Sequence, residues 1–481
     1  MPLTVTTATS VAHETRADWL AIFIGKDGAL IGSRLPAATK RTVTAALDTL
    51  GFEASQGAIA WIPNVAGVAA RGVAVVGIGD PSRLADWRSA AGTLGRAAAK
   101  SARVAIAMPA VRGVKPDELT QALAEGVLLG AYRYDDYRAQ AKPSNCKVSI
   151  IGGVGRSATR AKTISGAVAF ARDLLNAPAL DLYPAEMARR AQRHLRSRGV
   201  TVQVMNRAAI ETAGLGGVIG VGQGSEREPR FLKMEYVPAG RPTRTIALVG
   251  KGVTFDTGGI SIKPSEGMET MKTDMGGAAA VIAALGACAA LGVKARVLGF
   301  TPLVENMPSG SAIRPGDVLR MRNKATVEVI NTDAEGRLIL ADALCLAAEA
   351  KPDAIVDLAT LTGACVVALG EKIAGVMTND ERWSGDVLAA AERAGEPMWP
   401  LPLPSEYRKM LDSEIADMKN IGTRWGGTLT AGLFLKEFVP DSIPWAHIDI
   451  AGPSRANADE GELSRGGTGF AVRTLLELLL R

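Results

Sequence analysis

Short unbroken apolar runs recur along this chain, separated by helix-length stretches and by loops rich in glycine and polar residues. In the first third, residues Trp19–Ile24, 58–62 and 72–78 read as strands, and 81–100 and 116–132 read as helices. After a helix carrying residues 170–175, the pattern resumes with strands at 201–205, 231–236, 245–249, 295–301, 326–330, 354–358 and 445–450. Strands that are apolar throughout, rather than alternating, belong in sheets covered on both faces, and strands alternating with helices predict parallel pairing. The expected fold is α/β: a smaller N-terminal α/β domain and a larger C-terminal α/β catalytic domain with a central mixed, largely parallel sheet. The glycine-containing stretch 152–161 reads as the connection, which places the domains at residues 1–160 and 161–481.

Length supports the division, because single cores stop growing at roughly 250–300 residues and this chain has 481. Aromatic residues are only 5% of the chain while apolar residues are 47%, so the core must be built from small side chains packed closely. The longest uncharged apolar run, 275–293, has membrane length, but Gly276, Gly277, Gly286 and Gly292 interrupt it and alanine dominates the rest. A buried helix is the expected outcome, with no membrane contact. The first residues lack a basic start followed by an apolar stretch, and Cys146, Cys288, Cys345 and Cys365 form no CxxC pair. Both features lead to the expectation of a cytoplasmic protein with reduced thiols.

Charge is unevenly spread. Residues 1–160 hold 19 Lys and Arg against 12 Asp and Glu, a surplus of +7, whereas the other 36 basic and 37 acidic residues give −1. A solvated basic face accounts for this, and binding to DNA is the functional alternative.

The candidate chemistry gathers in three segments, two that follow strand-like runs and one just ahead of the apolar run 275–293, and open α/β sheets bind ligands at the carboxyl ends of their strands. GKGVTFDTGGISIKPS brings Lys251, Asp256 and Lys263; METMKTDMGG brings Asp274; NTDAEGRL brings Asp333, Glu335 and Arg337. If the strand before NTDAEGRL stays extended, Asp333 and Glu335 point to the same side. Taken singly, each has an ordinary explanation: a helix cap for Asp333, a surface pair for Glu335 and Arg337, a phosphate cradle for the glycine-rich loop. Together, four carboxylates would repel one another unless cations sat among them. Two divalent ions balance the charge of Asp256, Asp274, Asp333 and Glu335, and oxygen ligands suit magnesium, manganese or zinc. Such a pair would clamp a water and polarise a carbonyl, which fits a peptidase or a phosphoesterase. The three histidines, His13, His194 and His447, lie outside these segments and read as structural.

VGKGVTFDTGGISIK, MKTDMGGAA, NTDAEGRL and DLATLTGA, in that order, resemble the leucyl aminopeptidase family, including its bacterial aminopeptidase A type. DIAGPS and GGTGFAVRTLL extend the resemblance to the C-terminus, with Pro453 and Ser454 departing from the commonest form. The resemblance implies a dinuclear metallo-exopeptidase that releases leucine and other, mostly apolar, N-terminal residues from peptides with a free amino end. It implies one metal on Lys251, Asp256, Asp274 and Glu335, and another on Asp256, Asp333 and Glu335. Manganese or zinc is expected, with magnesium or cobalt as substitutes. Lys263 would polarise the scissile carbonyl, and Arg337 would hold a bicarbonate acting as general base. Met271, Thr360, Leu361 and Gly363 would form the side-chain pocket. A homohexamer is also implied, and some bacterial relatives bind DNA alongside catalysis.

Overall fold

The computed structural model describes residues 3–32, 34–142 and 144–481. The chain divides into two compact units: residues 1–169 with 457–465, and residues 170–456 with 466–481. Helix Gly155–Asn176 contributes to both, so the stretch read as a connection is helical from Gly155 onward. Strand Lys147–Ile151 ends just before it, and Gly152 turns the chain with a φ of 83°.

The first unit is a sheet ordered Thr4–Ala8, Lys147–Ile151, Arg103–Ala107, Trp19–Ile24, Gly72–Gly77, Ile59–Pro63. All neighbours are parallel except the last pair, and the short strand Leu30–Ile31 adds antiparallel to Trp19–Ile24. Successive strand residues face opposite sides. Ala21 and Phe23 therefore pack with Trp87, Leu94, Leu123 and Val127 of helices Leu84–Ala98 and Pro116–Gly130. Leu20, Ile22 and Ile24 pack with Val43 and Leu47 of helix Ala37–Thr49. A strand so placed is apolar at every position, as the sequence pattern suggested.

The second unit has a larger mixed sheet ordered Met398–Pro400, Ala374–Thr378, Trp445–Asp449, Ala354–Ala359, Thr245–Gly250, Arg296–Asn306, Arg230–Tyr236, Val200–Met205. Its centre is parallel, from Trp445–Asp449 to Arg296–Asn306, and antiparallel strands flank it. Thr245–Gly250 does not run straight into a loop: the chain breaks register at Lys251 and resumes as strand Gly252–Asp256 beside Arg296–Asn306. The apolar run 275–293 is helix Gly276–Leu291, buried at every residue from Gly276 to Cys288. A Cβ at Gly277 would lie 2.0 Å from the Leu358 carbonyl oxygen, so glycine lets this helix rest directly on the sheet.

One strand lies elsewhere than expected. Residues 326–330 are not part of the large sheet; Thr326–Glu328 sits in a three-stranded sheet with Val318–Arg320 and Met418–Lys419. The reason is visible in its pattern. Val327 and Val329 are buried while Thr326 and Glu328 are half-exposed, the alternation of a strand covered on one face. The chain after it does not stay extended either. Residues 332–333 form a turn in which Asn331 Oδ1 accepts the Asp333 amide at 2.8 Å, and Glu335 already has helical backbone angles.

The central strands also carry a buried polar ladder. Asp357 and His447 are register partners, both fully buried. Asp357 accepts from Trp445 Nε1 at 2.6 Å and pairs with His447 Nδ1 at 2.5 Å. Burial alone would lower the His447 pKa, but Asp357 and then Asp449 outweigh it against the opposing Arg337 charge, and the net shift is upward. A histidine whose folded pKa exceeds its unfolded one contributes stability fully below the unfolded value, and that contribution is lost as pH rises through the folded value. His447→Gln is thus expected to cost about 3–5 kcal/mol in denaturant unfolding at about pH 6, as for breaking a buried pair. The gap to wild type should narrow as pH rises; one that is flat or widens would contradict the charged pair.

Candidate metal centre

The carboxyl ends of the central parallel strands converge on one cluster. Lys251 stands at the break between two strands, Asp256 ends Gly252–Asp256, and Thr360 and Leu361 follow Ala354–Ala359. Asp274 follows the 3-10 helix Met268–Thr273 and precedes helix Gly276–Leu291. Glu335 caps helix Gly336–Glu349, and Arg337 lies in its first turn. Asp274 and Glu335 are therefore each at the start of a long helix, where the partial positive charge of the backbone favours a carboxylate.

Two lysines sit among the acids. Lys251 Nζ is 2.7 Å from Asp274 Oδ2, 2.8 Å from Glu335 Oε1 and 2.9 Å from the Thr360 carbonyl oxygen. It runs against the start of helix Gly336–Glu349: a Cβ at Gly336 would lie 2.6 Å from its Cε and 2.7 Å from its Nζ. Lys263 Nζ is 2.8 Å from Asp256 Oδ2 and pairs with Asp333 Oδ1. One oxygen each from Asp256, Asp333 and Glu335 lie within 4.8 Å of one another, so the two lysine-centred groups form one cluster.

The electrostatics are those of crowded acids. Burial first, then the neighbouring carboxylates, raise Asp274, Glu335 and Asp333 above their usual range, although the lysines pull the other way. Burial would lower both lysines, yet Asp274 and Glu335 at Lys251, and Asp256, Glu335 and Asp333 at Lys263, raise both. Four carboxylates thus face two ammonium groups. Asp274 Oδ2, Asp333 Oδ1 and Glu335 Oε1 approach a lysine but accept no well-angled hydrogen bond. Buried oxygens with unused lone pairs, in excess over the positive charge, are what hard divalent cations bind. The residues present fit such cations.

Arg337 is not paired with Glu335. Its Nη1 donates to the Asn420 carbonyl oxygen at 2.8 Å, and its buried Nε has no hydrogen-bond partner among the described residues. Burial lowers it to about 10, while Glu335 and Asp449 act to hold it up. Of the expected pocket residues, Met271 lies in the 3-10 helix leading to Asp274, Thr360 and Leu361 leave the sheet, and the exposed Gly363 opens helix Gly363–Leu369. Thr360 touches the cluster directly, donating to Asp274 Oδ1 at 2.6 Å.

Residues not picked out from the sequence hold this arrangement. Asn306 Nδ2 donates to Asp256 Oδ1 at 2.8 Å and to the Thr332 carbonyl at 3.0 Å, joining the two loops that carry Asp256 and Asp333. Asn420 receives the amide of Ile330 at 2.8 Å and gives Nδ2 to the Asn331 carbonyl at 2.7 Å. Asp449 accepts the Leu361 amide at 3.2 Å and the Thr362 hydroxyl at 2.6 Å. Asp449 lies within DIAGPS, so a signal existed for it; a lone asparagine carries none.

Comparison with known proteins bears on what the cluster serves. The chain is 45% identical to a probable cytosol aminopeptidase of Streptomyces griseus, across 99% of this chain and 98% of that one. It is 43% identical to one of Chlorobaculum tepidum over 89% and 90%. Among solved structures, a bottromycin maturation enzyme in complex with Mn superposes with a TM-score of 0.87 at 41% identity, covering 96% of this chain and 99% of that one. A tomato leucine aminopeptidase mutant gives 0.89 at 31% identity, covering 100% and 96%. Residues 21–141 match the N-terminal domain of the cytosol aminopeptidase family and residues 169–476 its catalytic domain. With both parts matched and the acidic cluster inside the second, the chain belongs to the cytosol aminopeptidase family, enzymes that hydrolyse peptides from the amino end.

Proposed function

We propose that this protein releases leucine and other apolar N-terminal residues from peptides with two divalent cations held in the described cluster. One observation carries the reading: oxygens of Asp256, Asp333 and Glu335 within 4.8 Å of one another, flanked by Lys251 with Asp274 on one side and Lys263 on the other. Lys251, Asp274, Asp256 and Glu335 would hold one cation, and Asp333, Asp256 and Glu335 the other. Manganese is favoured by the oxygen-rich set and by the Mn-bound relative, with zinc, magnesium and cobalt as alternatives. When bound, the pair would polarise the scissile carbonyl and lower the pKa of the attacking water.

The chain's own groups supply the rest. Lys263 is half-buried at the edge of the cluster, and its neighbouring carboxylates keep it protonated. It is placed to donate to the oxyanion as charge develops there. Arg337 presents a rigid fork with an unpartnered Nε, suited to a small planar anion, and bicarbonate acting as a general base is the assigned occupant. Met271, Thr360, Leu361 and Gly363 form the pocket for the first side chain. A homohexamer in the cytoplasm, serving peptide turnover, completes the proposal.

Elemental analysis of gently purified protein should approach two equivalents of metal per subunit, and Asp256→Ala should lose both metal and activity. Full activity in metal-stripped protein would end the two-cation reading. Lys263→Ala should lower kcat by about 10²–10³, the usual effect of removing one oxyanion donor, with metal content unchanged; loss of metal would make Lys263 a ligand. Leucine amide should be cleaved and N-acetyl-leucine amide should not, because acetylation removes the amine lone pair and weakens transition-state binding. Comparable rates on both would refute an exopeptidase.

A further inference from the structure

Thr360 is the first residue beyond strand Ala354–Ala359, and it touches two of the proposed ligands with two different groups. Its hydroxyl donates to Asp274 Oδ1 at 2.6 Å. Its carbonyl oxygen accepts from Lys251 Nζ at 2.9 Å. Asp274 is 6% exposed and Lys251 is 3% exposed, so water does not readily replace either contact.

The two contacts divide the work of each ligand. A carboxylate turns easily about its terminal torsion, which is broad and roughly two-fold. With Oδ1 fixed on Thr360, the carboxylate plane of Asp274 is set, and Oδ2 faces Lys251 without a well-angled hydrogen bond. An amine rotates about its last bond just as freely, and the Thr360 carbonyl takes one of its hydrogens in a fixed direction.

Thr360 can impose these directions because its surroundings are tied down. The Lys251 amide donates to the Leu358 carbonyl at 3.0 Å, and the Ala278 amide donates to the Lys251 carbonyl at 2.8 Å. On the other side, fully buried Asp449 accepts the Leu361 amide at 3.2 Å and the Thr362 hydroxyl at 2.6 Å. The residue is held by the sheet before it and by Asp449 after it.

We propose that Thr360 is a positioning residue for the cation shared by Lys251 and Asp274, its hydroxyl setting the Asp274 carboxylate and its carbonyl setting the Lys251 amine before a cation enters. This rests on the two-cation reading and is separate from the pocket role given to Thr360 there. A hydroxyl-to-carboxylate hydrogen bond is charge-assisted and short, and losing such an outer partner typically lowers metal affinity about 10–100-fold.

Calorimetric titration of Mn²⁺ into the metal-stripped full chain tests the assignment without relying on activity. Wild type should bind two equivalents. Thr360→Val keeps the shape and removes the donor: one equivalent should weaken about 10–100-fold while the other is unchanged. At one added equivalent, the manganese resonance spectrum should shift from a coupled pair toward isolated ions. Thr360→Ser keeps the hydroxyl and should restore both affinities. Thr360→Ala removes the same hydroxyl without introducing a second methyl, and must reproduce the weakened equivalent even if the valine variant folds poorly. Wild-type affinities for both equivalents in the alanine variant, or no restoration by serine, would overturn the proposal. Failure of wild type itself to bind a pair would overturn the two-cation reading along with it.

Discussion

Crowding four carboxylates at one point, three of them buried, is the constraint on which the second unit is organised. Moving an ionised carboxylate out of water is expensive, and like charges at close range add to the cost. Lys251 and Lys263 offset half of the formal charge, and the starts of helices Gly276–Leu291 and Gly336–Glu349 contribute partial positive charge beside Asp274 and Glu335. The raised pKa values of Asp274, Asp333 and Glu335 show that compensation is still incomplete. The strain is local and is carried by a rigid frame: a parallel sheet whose strands end together, and a helix brought close enough by Gly277 to lie on strand Ala354–Ala359.

The frame does more than place the acids. Behind the cluster, on strand Trp445–Asp449, His447 and Asp449 form a second buried charge system with Asp357. Asp449 fixes the segment after Ala354–Ala359, and Arg337 lies where its charge is felt by both Glu335 and Asp449. The acidic cluster and the expected pocket wall are therefore held from one side by the same fully buried strand. Such polar networks are costly when partly satisfied and specifying when complete.

How much of this was legible in the sequence depended on whether a residue belonged to a pattern. Strands Thr245–Gly250 and Ala354–Ala359 were readable because both faces are covered and nearly every position is apolar, Asp357 being the buried exception. Lys251, Asp256 and Lys263 were readable because they follow such a run, Asp274 because it stands just ahead of an apolar helix, and Asp333 and Glu335 because they follow a shorter strand. Strand Thr326–Glu328 was misplaced because its alternation, the mark of a sheet covered on one face, reads locally as one more run of the large sheet. The turn at Asp333 was missed because it is set by Asn331 and Asn420, the latter close in space and far along the chain. Asn306 likewise has no periodic partner, and only the fold shows that it joins the loops carrying Asp256 and Asp333. The basic surplus of the first third was countable, but its disposition was not: Arg88 pairs with Glu125 inside the first unit, and Arg71 and Arg156 pair with Asp18 and Asp117.

A shared fold would not by itself fix the chemistry, because one α/β framework serves many reactions. Two divalent cations would cancel the formal charge of Asp256, Asp274, Asp333 and Glu335, so the sign of the acids alone does not choose between a peptidase and a phosphoesterase built on the same clamp. What separates the two is the set of basic groups placed beside the acids. Lys251 reaches Asp274 and Glu335 at 2.7 and 2.8 Å, and Arg337 gives Nη1 to the Asn420 carbonyl. A lysine among the acids and an arginine beside them accompany the family match, and it is that match, rather than the fold or the charge, that selects the amino terminus.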